Sequence, residues 1–520
     1  MQNDPIQPPA GAADRAGRPP PVEPKPANLL DVVLTIGVTV ALLGLSVFLF
    51  GADSSAGANQ IALVVGAVLA ALVGVKNGHG WVAIERNIVG GISAAMPAIL
   101  ILFAVGSLIG IWMLSGTVPT MIYYGLLLLD PALFYPATLL LCSVVALAVG
   151  SSWTIAGTLG IALIGVAGGL GLSPEITAGA VISGAYFGDK MSPLSDTTNL
   201  APAVTGIDIF THIRHMTWTT APSMLIALAG FSLIGWFQTA DGVVQGLDLT
   251  LALLDDHFRI GPLMLVPVAL VVYLAARKVP ALATILAGVG LGVVVAVLFQ
   301  RPAILSLAEA PETPTLVEVV KGVWVVLFDG FRATTGDENL DSLLSRGGMS
   351  SMLSTVWLII TAMSFGAALE IAGVLQRLLR ALLSFARSVG GLISTTIATC
   401  VGMNVLTADQ YMSIVIPGRM FRDAYKAKGL HPKNLSRVLE DAGTITSPLV
   451  PWNTCGAYMA ATLGVPTLAY LPFCFFNLVN PFVSALYGYT GYRIERSGDH
   501  EWALTEPLPA AVPAAEQTGV

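Results

Sequence analysis

Apolar stretches long enough to cross a bilayer recur along the whole of this 520-residue chain. A membrane-spanning helix needs about 17 to 25 consecutive apolar residues. Nearly uncharged runs of about this length lie at 33–50, 59–75, 92–113, 217–237, 262–276, 280–299, 350–375 and 465–489. Only 11% of the residues are charged, against about 25% in an ordinary soluble domain. The sequence therefore predicts an all-α polytopic membrane protein.

The rest of the composition excludes several other classes of protein. The formal net charge is -7, and no basic face suggests a nucleic acid partner. The four cysteines lie far apart in apolar surroundings, so neither a zinc site nor a disulfide framework is predicted. No cofactor is expected. Residues 1–28 are proline-rich and polar and are predicted to be a disordered tail, followed by an N-terminal helical hairpin over 29–91.

Two helix-length segments are interrupted by proline. The segment 174–209 contains MSPLSD, and the segment 436–463 contains TSPLVPWN. Proline removes a backbone donor and disfavours helix in the residue before it. Pro193 and Pro448 are therefore predicted to break these two helices inside the membrane.

Two further segments, 132–170 and 388–418, are apolar at both ends and polar in the middle. Each is short for two membrane crossings and long for one. We therefore predict that each forms a re-entrant hairpin, which enters the membrane and returns to the same side. Together with the apolar runs and the broken helices, this gives about ten transmembrane helices plus two re-entrant hairpins.

The distribution of Lys and Arg predicts the orientation in the membrane. The most basic loop, over 419–437, belongs in the cytoplasm by the positive-inside rule. The segments 115–131 and 171–175, which flank the first hairpin, contain no Lys or Arg and belong outside. The two hairpins are then predicted to enter from opposite faces, with both termini cytoplasmic.

The two halves of the chain show the same order of elements: a span, a short helix, a hairpin, a broken helix and a closing span. Short sequence echoes support a duplication, namely GLSPE with GLHPK and SPL with SPL. Inverted-topology repeats with broken helices are an architecture of secondary transporters. We predict a first repeat over 92–238, a linker with two transmembrane helices and outer loops over 239–349, a second repeat over 350–490, and a cytoplasmic tail over 491–520.

Unwound helices in lipid leave backbone groups without partners, which is tolerated where those groups line a cavity or bind an ion. Carboxylate, hydroxyl and amide oxygens are the ligands that small hard cations prefer. At the breaks the candidate ligands are Asp189, Ser192, Asp196, Thr197 and Asn199, and Asp441, Thr444, Thr446, Ser447, Asn453 and Thr454. The hairpin tips add Ser151, Ser152, Thr154, Asn404, Thr407 and Asp409. The sequence therefore predicts a cation site where the breaks and the tips meet.

A carboxylate inside a membrane indicates function, because burying it is costly. Burial also favours the protonated acid, so that a proton and a cation compete for one carboxylate near neutral pH. Asp189 is the strongest candidate, with Asp441 as the corresponding acid of the second half. Such competition is the minimum machinery for exchanging a cation for a proton.

Structural roles for the same residues stay open at this point. Asp189 would serve only to neutralise the adjacent Lys190 at a helix end. Asp196 would cap the next half-helix by accepting hydrogen bonds from backbone N–H groups. The hydroxyl groups would satisfy only the local backbone, as Ser and Thr often do at helix breaks.

The residues around the breaks resemble the two signatures of the NhaC-type sodium/proton antiporters of the ion-transporter superfamily. GAYFGDKMSPLSDTTNLA (184–201) is similar to the first signature and EDAGTITSPLVPWNTCGAY (440–458) to the second. The resemblance covers about 60–490. It implies a transporter rather than an enzyme, a homodimer in the bacterial inner membrane, that exchanges cytoplasmic Na⁺ or Li⁺ for external protons. One departure concerns the first hairpin tip, where Thr154 and Ile155 stand in place of the family's Gly-Thr.

Three other functions for such a membrane protein are exchange of an organic substrate, intramembrane proteolysis and passive conduction through a channel. Some proteins that resemble the family exchange organic acids such as malate and lactate, so the alternative is cation-coupled exchange of a small organic anion or an amino acid. A Lys or Arg side chain beside the breaks would favour this alternative, and only Lys190 is expected there. An intramembrane aspartyl protease is disfavoured because its Gly-x-Gly-Asp motif would need glycine where this chain has Tyr186. A channel is disfavoured because the rings of repeated carbonyl or acidic motifs that build a pore are missing.

Overall fold

The computed structural model describes residues 25–238, 247–307, 316–383 and 386–496. Within these residues all regular secondary structure is helical, and the one strand-like contact is an isolated bridge between Leu430 and Arg496. The all-α prediction is confirmed. The predicted N-terminal tail falls mostly on residues 1–24, which lie outside the described residues, whereas Asn28 caps the first helix by accepting from the Asp31 N–H. Residues 497–520 of the predicted C-terminal tail also lie outside the described part.

Nine helices in the described ranges are long and apolar enough to cross a membrane, or up to eleven if each of two bent helix pairs is one span. The nine are Leu29–Phe50, Ala58–Lys76, Trp81–Leu114, Pro131–Val149, Ser152–Gly169, Ile209–Gln238, Ala281–Phe299, Met349–Ile371 and Val389–Leu406. The bent pairs are Asp248–His257 with Pro262–Ala276, at 83°, and Thr467–Phe473 with Phe475–Thr490, at 59°. The protein is thus a multi-pass membrane protein, and the prediction of about ten spans is confirmed.

Some helices extend beyond the apolar runs that predicted them. The run at 92–113 belongs to the longer stretch Trp81–Leu114, and the run at 217–237 belongs to the helix Ile209–Gln238. The added turns carry charged residues such as Arg86 and Arg214. The apolar run of a spanning helix stops at the edge of the hydrocarbon core of the bilayer, whereas its backbone hydrogen bonds continue into the interface.

Each segment predicted as a hairpin consists of two helices joined by a short tip. The first helix pair is Phe134–Val149 with Ser152–Gly169, and the second is Val389–Leu406 with Met412–Ala427. Both tips contain a residue with left-handed backbone, Gly150 at φ 74° and Ala408 at φ 57°. In each tip the next residue, Ser151 or Asp409, accepts a hydrogen bond from the N–H three residues further on. The two tips therefore have the same local structure.

The two proline-containing segments are interrupted helices. The first broken helix is Pro174–Met191 followed by Asp196–Thr205, and the second is Pro432–Leu439, continued by a π-helical turn over Glu440–Thr444, and then Thr454–Leu463. Both are interrupted at Ser-Pro-Leu, and both end at a left-handed glycine, Gly206 or Gly464. Left-handed glycines also precede them, at Gly171 and Gly429. These features recur in the same order, which supports the predicted duplication.

The first broken helix packs on the helix Phe134–Val149 through bare backbone. A Cβ atom on Gly184 would lie 2.4 Å from the carbonyl oxygen of Leu139, and one on Gly188 would lie 2.3 Å from the Cβ of Ala146. Small residues four positions apart let two helix backbones approach this closely. The contact fixes the helix end that carries the next two residues, Asp189 and Lys190.

We predict that Gly188→Ala destabilises the protein, because the added methyl group has no room against the backbone of the neighbouring helix. Overpacking of this kind costs about 1–3 kcal/mol. The control is Gly290→Ala, because Gly290 is also inside a helix but has nothing within 4 Å of an added Cβ. Thermal unfolding of the detergent-purified variants measures both. Equal midpoints for the two variants would contradict the proposed tight contact.

Candidate functional site

Asp189 lies in the last turn of the first half of the first broken helix and is only 4% exposed. Two hydroxyl groups donate to its carboxylate: Ser152 Oγ to Oδ2 at 2.6 Å and Ser195 Oγ to Oδ1 at 2.7 Å. Ser152 comes from the first tip and Ser195 from the far side of the break. Thr197 Oγ1 lies 3.1 Å from Ser195 Oγ. Because the serine hydrogens point to the carboxylate, the Ser152 oxygen keeps lone pairs for a cation, whereas Ser195 Oγ also accepts from the Thr198 N–H.

The backbone around the first break is satisfied mainly by hydroxyl and amide side chains, among them the predicted ligands Ser192 and Asn199. Thr198 Oγ1 donates to the carbonyl oxygens of Asp189 at 2.8 Å and Lys190 at 3.0 Å. The Asn199 amide donates to the carbonyl oxygens of Pro193 and Ser195. Ser192 Oγ accepts from the Leu194 N–H. These groups replace helical hydrogen bonds, as side chains do at unwound helices.

Asp196 is exposed and joins the two halves of the protein. Its Oδ1 accepts from the Thr197 N–H at 2.9 Å, and its Oδ2 accepts from the hydroxyl group of Tyr411 in the second tip. The helix cap predicted for Asp196 belongs instead to Ser195, whose Oγ accepts from the Thr198 N–H. The tip residues Ser151, Thr154 and Asp409 hydrogen-bond within their own turns.

The second break is built from neutral groups that satisfy one another. The Asn404 amide donates to the carbonyl oxygen of Gly443 and to Thr446 Oγ1, and Asn453 donates to the backbone and side-chain oxygens of Asn404. Ser447 Oγ donates to the side-chain oxygen of Gln410 at 2.9 Å. Thr407 Oγ1 donates to the carbonyl oxygen of Met403, and the Thr454 N–H donates to the carbonyl oxygen of Ala408. No carboxylate takes part in these contacts.

Lys190 is fully buried, and its ammonium group forms an ion pair with Asp441 of the second broken helix. Asp441 Oδ1 also accepts from Thr219 Oγ1 at 2.9 Å and from the Asn480 amide at 3.0 Å. The interpretation that Asp189 neutralises Lys190 is therefore wrong. Consecutive residues of a helix point in directions about 100° apart, so Lys190 and Asp189 face different partners.

Arg437 is a second buried cation at the second broken helix. Its Nε lies 3.6 Å from Asp441 Oδ2, and its Nη1 contacts His215 Nε2 and the carbonyl oxygen of Arg493 at 3.2 Å each. The prediction that only Lys190 lies beside the breaks is wrong. His212 and His215, in the first turns of the helix Ile209–Gln238, are also buried.

Glu440 is fully buried, and neither of its carboxyl oxygens has a hydrogen-bond partner. Thr444 Oγ1, one helical turn further on, and Asn477 Oδ1 are also buried without partners. Unpartnered buried polar atoms are rare and need an explanation such as an ion, a water molecule or a proton. An ionised carboxylate left alone in this position would be very costly, so Glu440 needs a proton, a cation or a water molecule here.

The described part of the C-terminal segment holds the start of the second broken helix. Lys433 forms an ion pair with Glu495, and the Asn434 amide donates to the Glu495 carbonyl oxygen at 2.7 Å. The hydrogen bond from Lys433 lowers the pKa of Glu495. The segment therefore begins as an ordered strap over this helix.

Sequence reasoning missed several members of these clusters. Arg437 stands four residues before Asp441, which places both on one helix face, and this spacing was the available signal. Asn477 and Asn480 are polar residues inside an apolar span, which also marks them. Nothing local distinguishes Thr219 or Gln410, because their partners lie on distant segments.

Known proteins are similar to this chain over the segments that contain both broken helices. The profile of the Na⁺/H⁺ antiporter family matches residues 184–492. The Na(+)/H(+) antiporter NhaC of Alkalihalophilus pseudofirmus is 40% identical over 470 residues, which is 90% of this chain and 97% of that protein. The malate-2H(+)/Na(+)-lactate antiporter of Bacillus subtilis is 37% identical over 466 residues, 89% of this chain and 95% of its own. The arginine/ornithine antiporter ArcD of Halobacterium salinarum is 37% identical over 474 residues, 89% of this chain and 92% of its own.

These relatives are transporters, and the chain is no enzyme; the aspartyl protease alternative is set aside. The family profile includes both broken helices, and the relatives match nearly their full length. This chain belongs to the Na⁺/H⁺ antiporter family.

Proposed function

We propose that the protein is a secondary active transporter that exchanges cytoplasmic Na⁺ or Li⁺ for external protons. The observation that carries this proposal is the balance of buried charge at the breaks. The buried carboxyl groups there are Asp189, Glu440 and Asp441, and the buried basic groups are Lys190 and Arg437, with His212 and His215 taken as neutral. If all five are ionised, one negative charge is left over. Either one proton or one monovalent cation neutralises it, and not both together.

Asp189 is the proposed cation ligand. Its two hydroxyl partners, Ser152 and Ser195, come from the first tip and from beyond the break, so a cation held among them touches three separate segments. The second break offers no counterpart of this arrangement, because no carboxylate takes part there and Asn404 and Ser447 already have partners in Thr446 and Gln410. We therefore propose one cation site, on the first broken helix.

Glu440 is the proposed carrier of the proton. It has no hydrogen-bond partner, so the neutral acid is the favoured form in the interior while no cation is bound. A cation bound at Asp189 adds one positive charge to the interior. This charge favours the ionised form of Glu440, so Glu440 loses its proton. The cation and the proton then alternate, although they occupy different carboxyl groups.

The ion pair between Lys190 and Asp441 connects the two sites. Lys190 follows Asp189 directly, and Asp441 follows Glu440 directly. A shift of either broken helix that changes this ion pair therefore moves both carboxyl groups. We propose that the two halves are inverted repeats and that their relative movement exposes the sites to each side in turn.

We predict that Asp189→Asn abolishes exchange. Asparagine keeps the size of the side chain but cannot supply a full negative charge, and losing a charged partner weakens Na⁺ binding by about tenfold to a hundredfold. The measurement is Na⁺-driven proton movement in proteoliposomes that contain a pH-sensitive dye. Asp255→Asn is the control, since Asp255 is exposed and lies far from the breaks in sequence. Wild-type exchange by Asp189→Asn would contradict the proposed ligand.

We also predict that Glu440→Gln folds normally, since glutamine resembles the neutral acid. The glutamine carries no charge at any pH, so the buried charges of the variant already sum to zero without a cation. Its Na⁺ binding should therefore be weak and should not change between about pH 6 and 9. Wild-type Na⁺ binding should strengthen as pH rises, because Glu440 loses its proton. Isothermal titration with Na⁺ at several pH values measures this. A pH dependence like that of the wild type in Glu440→Gln would assign the proton to another group.

The proposed topology places both termini in the cytoplasm of a bacterial inner membrane, with the two helix pairs entering from opposite faces. Single cysteines are placed at Asp130 and Lys426, both exposed, in a background without the four buried native cysteines. An impermeant thiol reagent should label position 130 from outside and position 426 only after permeabilisation. Labelling of both from the same face would contradict the inverted repeats. The homodimer implied by the family resemblance is also part of the proposal.

The second candidate function is cation-coupled exchange of an organic anion or an amino acid. Two relatives are named for malate and lactate and for arginine and ornithine. Arg437 adds a specific observation, because its Nε and Nη2 are buried without hydrogen-bond acceptors. The proteoliposome assay separates the two functions: exchange that requires malate, lactate or an amino acid in addition to Na⁺ would favour this second candidate.

A further inference from the structure

An apolar groove of about 520 Å³ lies between the helix Thr117–Leu128 and the helix Val266–Ala276, away from the breaks. Its lining consists of Met121, Leu265, Val268, Ala269, Val272, Tyr273 and Ala276. Tyr273 is 56% exposed. The groove is therefore open toward the surface that faces the membrane.

The length of the groove matches one leaflet of a bilayer. From Leu265 to Ala276 the helix rises about 16 Å at 1.5 Å per residue. Half the hydrocarbon core of a bilayer is about 15 Å. A single lipid acyl chain can therefore lie along the groove from end to end.

Two cations stand at one end of the groove. Arg277 and Lys278 follow Ala276 directly, and both are exposed. Arg277 Nη1 donates to the hydroxyl group of Tyr273 at 3.3 Å, which directs the guanidinium toward the groove. Lys278 has a left-handed backbone at φ 61°, which ends the helix and turns the chain there. No Asp or Glu occurs between His257 and Leu307, so this stretch supplies no carboxylate to compensate the two charges.

We propose that this groove binds one anionic phospholipid, with an acyl chain against Val268 and Val272 and the phosphate at Arg277 and Lys278. Clustered Lys and Arg at the end of a membrane helix attract anionic lipid headgroups. On the proposed topology this end faces the cytoplasm, so the lipid belongs to the inner leaflet. The site does not depend on the transported ion.

The test is native mass spectrometry of the full-length, delipidated protein after addition of phosphatidylglycerol and phosphatidylcholine in equal amounts. The wild type should retain one phosphatidylglycerol per chain in preference to phosphatidylcholine. Arg277→Ala with Lys278→Ala should reduce retention of phosphatidylglycerol by about tenfold or more. Ala269→Trp, which fills the groove with a side chain, should reduce retention of both lipids.

The control is Arg259→Ala with Arg301→Ala, which also removes two positive charges at exposed positions. Arg259 lies before the helix that ends at Ala276, and Arg301 lies after the helix Ala281–Phe299, so both are at the ends of these helices that are remote from Arg277 and Lys278. This pair should retain phosphatidylglycerol as the wild type does. Equal retention of the two lipids by the wild type would overturn the proposal, and so would unchanged retention in the Arg277 and Lys278 variant. If Ala269→Trp changes the fraction of dimer and leaves lipid retention unchanged, the groove binds a second copy of the chain instead.

Discussion

The buried ion pair between Lys190 and Asp441 is the interaction on which the rest of the interior depends. Both side chains are fully buried, and each belongs to a different broken helix. Separating two such charges in a medium of low dielectric constant is very costly, because Lys190 would be left as a buried charge without a counter-ion. The pair therefore fixes the relative position of the two broken helices. It also fixes where their neighbours Asp189 and Glu440 lie, and with them the proposed cation and proton sites.

The two breaks share a backbone but differ in chemistry. Both have a Ser-Pro-Leu interruption, a capped tip opposite the break and a left-handed glycine at the far end. At the first break the tip residue Ser152 donates to a carboxylate, whereas at the second break Gln410 accepts from Ser447. The duplicated scaffold thus holds a charged site in one half and a closed, neutral network in the other. This difference is the physical basis for proposing a single cation site.

Much of the fold followed from the sequence, because a bilayer permits few solutions. Apolar runs predicted the spans, since an exposed backbone polar group in lipid has no partner outside a helix. Pro193 and Pro448 marked the interruptions through their missing N–H groups. Helix ends were less accurate, as in Ile209–Gln238, because hydropathy does not register the polar turns beyond the hydrocarbon. Asp189 was identified correctly as a buried acid, whereas the burial of Arg437 beside the Asp441 carboxylate of the second broken helix was not predicted.

By itself the sequence determined the class of protein, the apolar spans, the two interruptions and the oxygen-rich residues around them. Each of these follows from local properties, namely hydropathy, proline and side-chain chemistry. Only the tertiary structure decided which charges meet. It paired Lys190 with Asp441 instead of the adjacent Asp189, brought Arg437 to the same carboxylate, and left Glu440 without a partner. These contacts join segments that are distant along the chain, and the direction of a side chain from a helix depends on the packing of its neighbours.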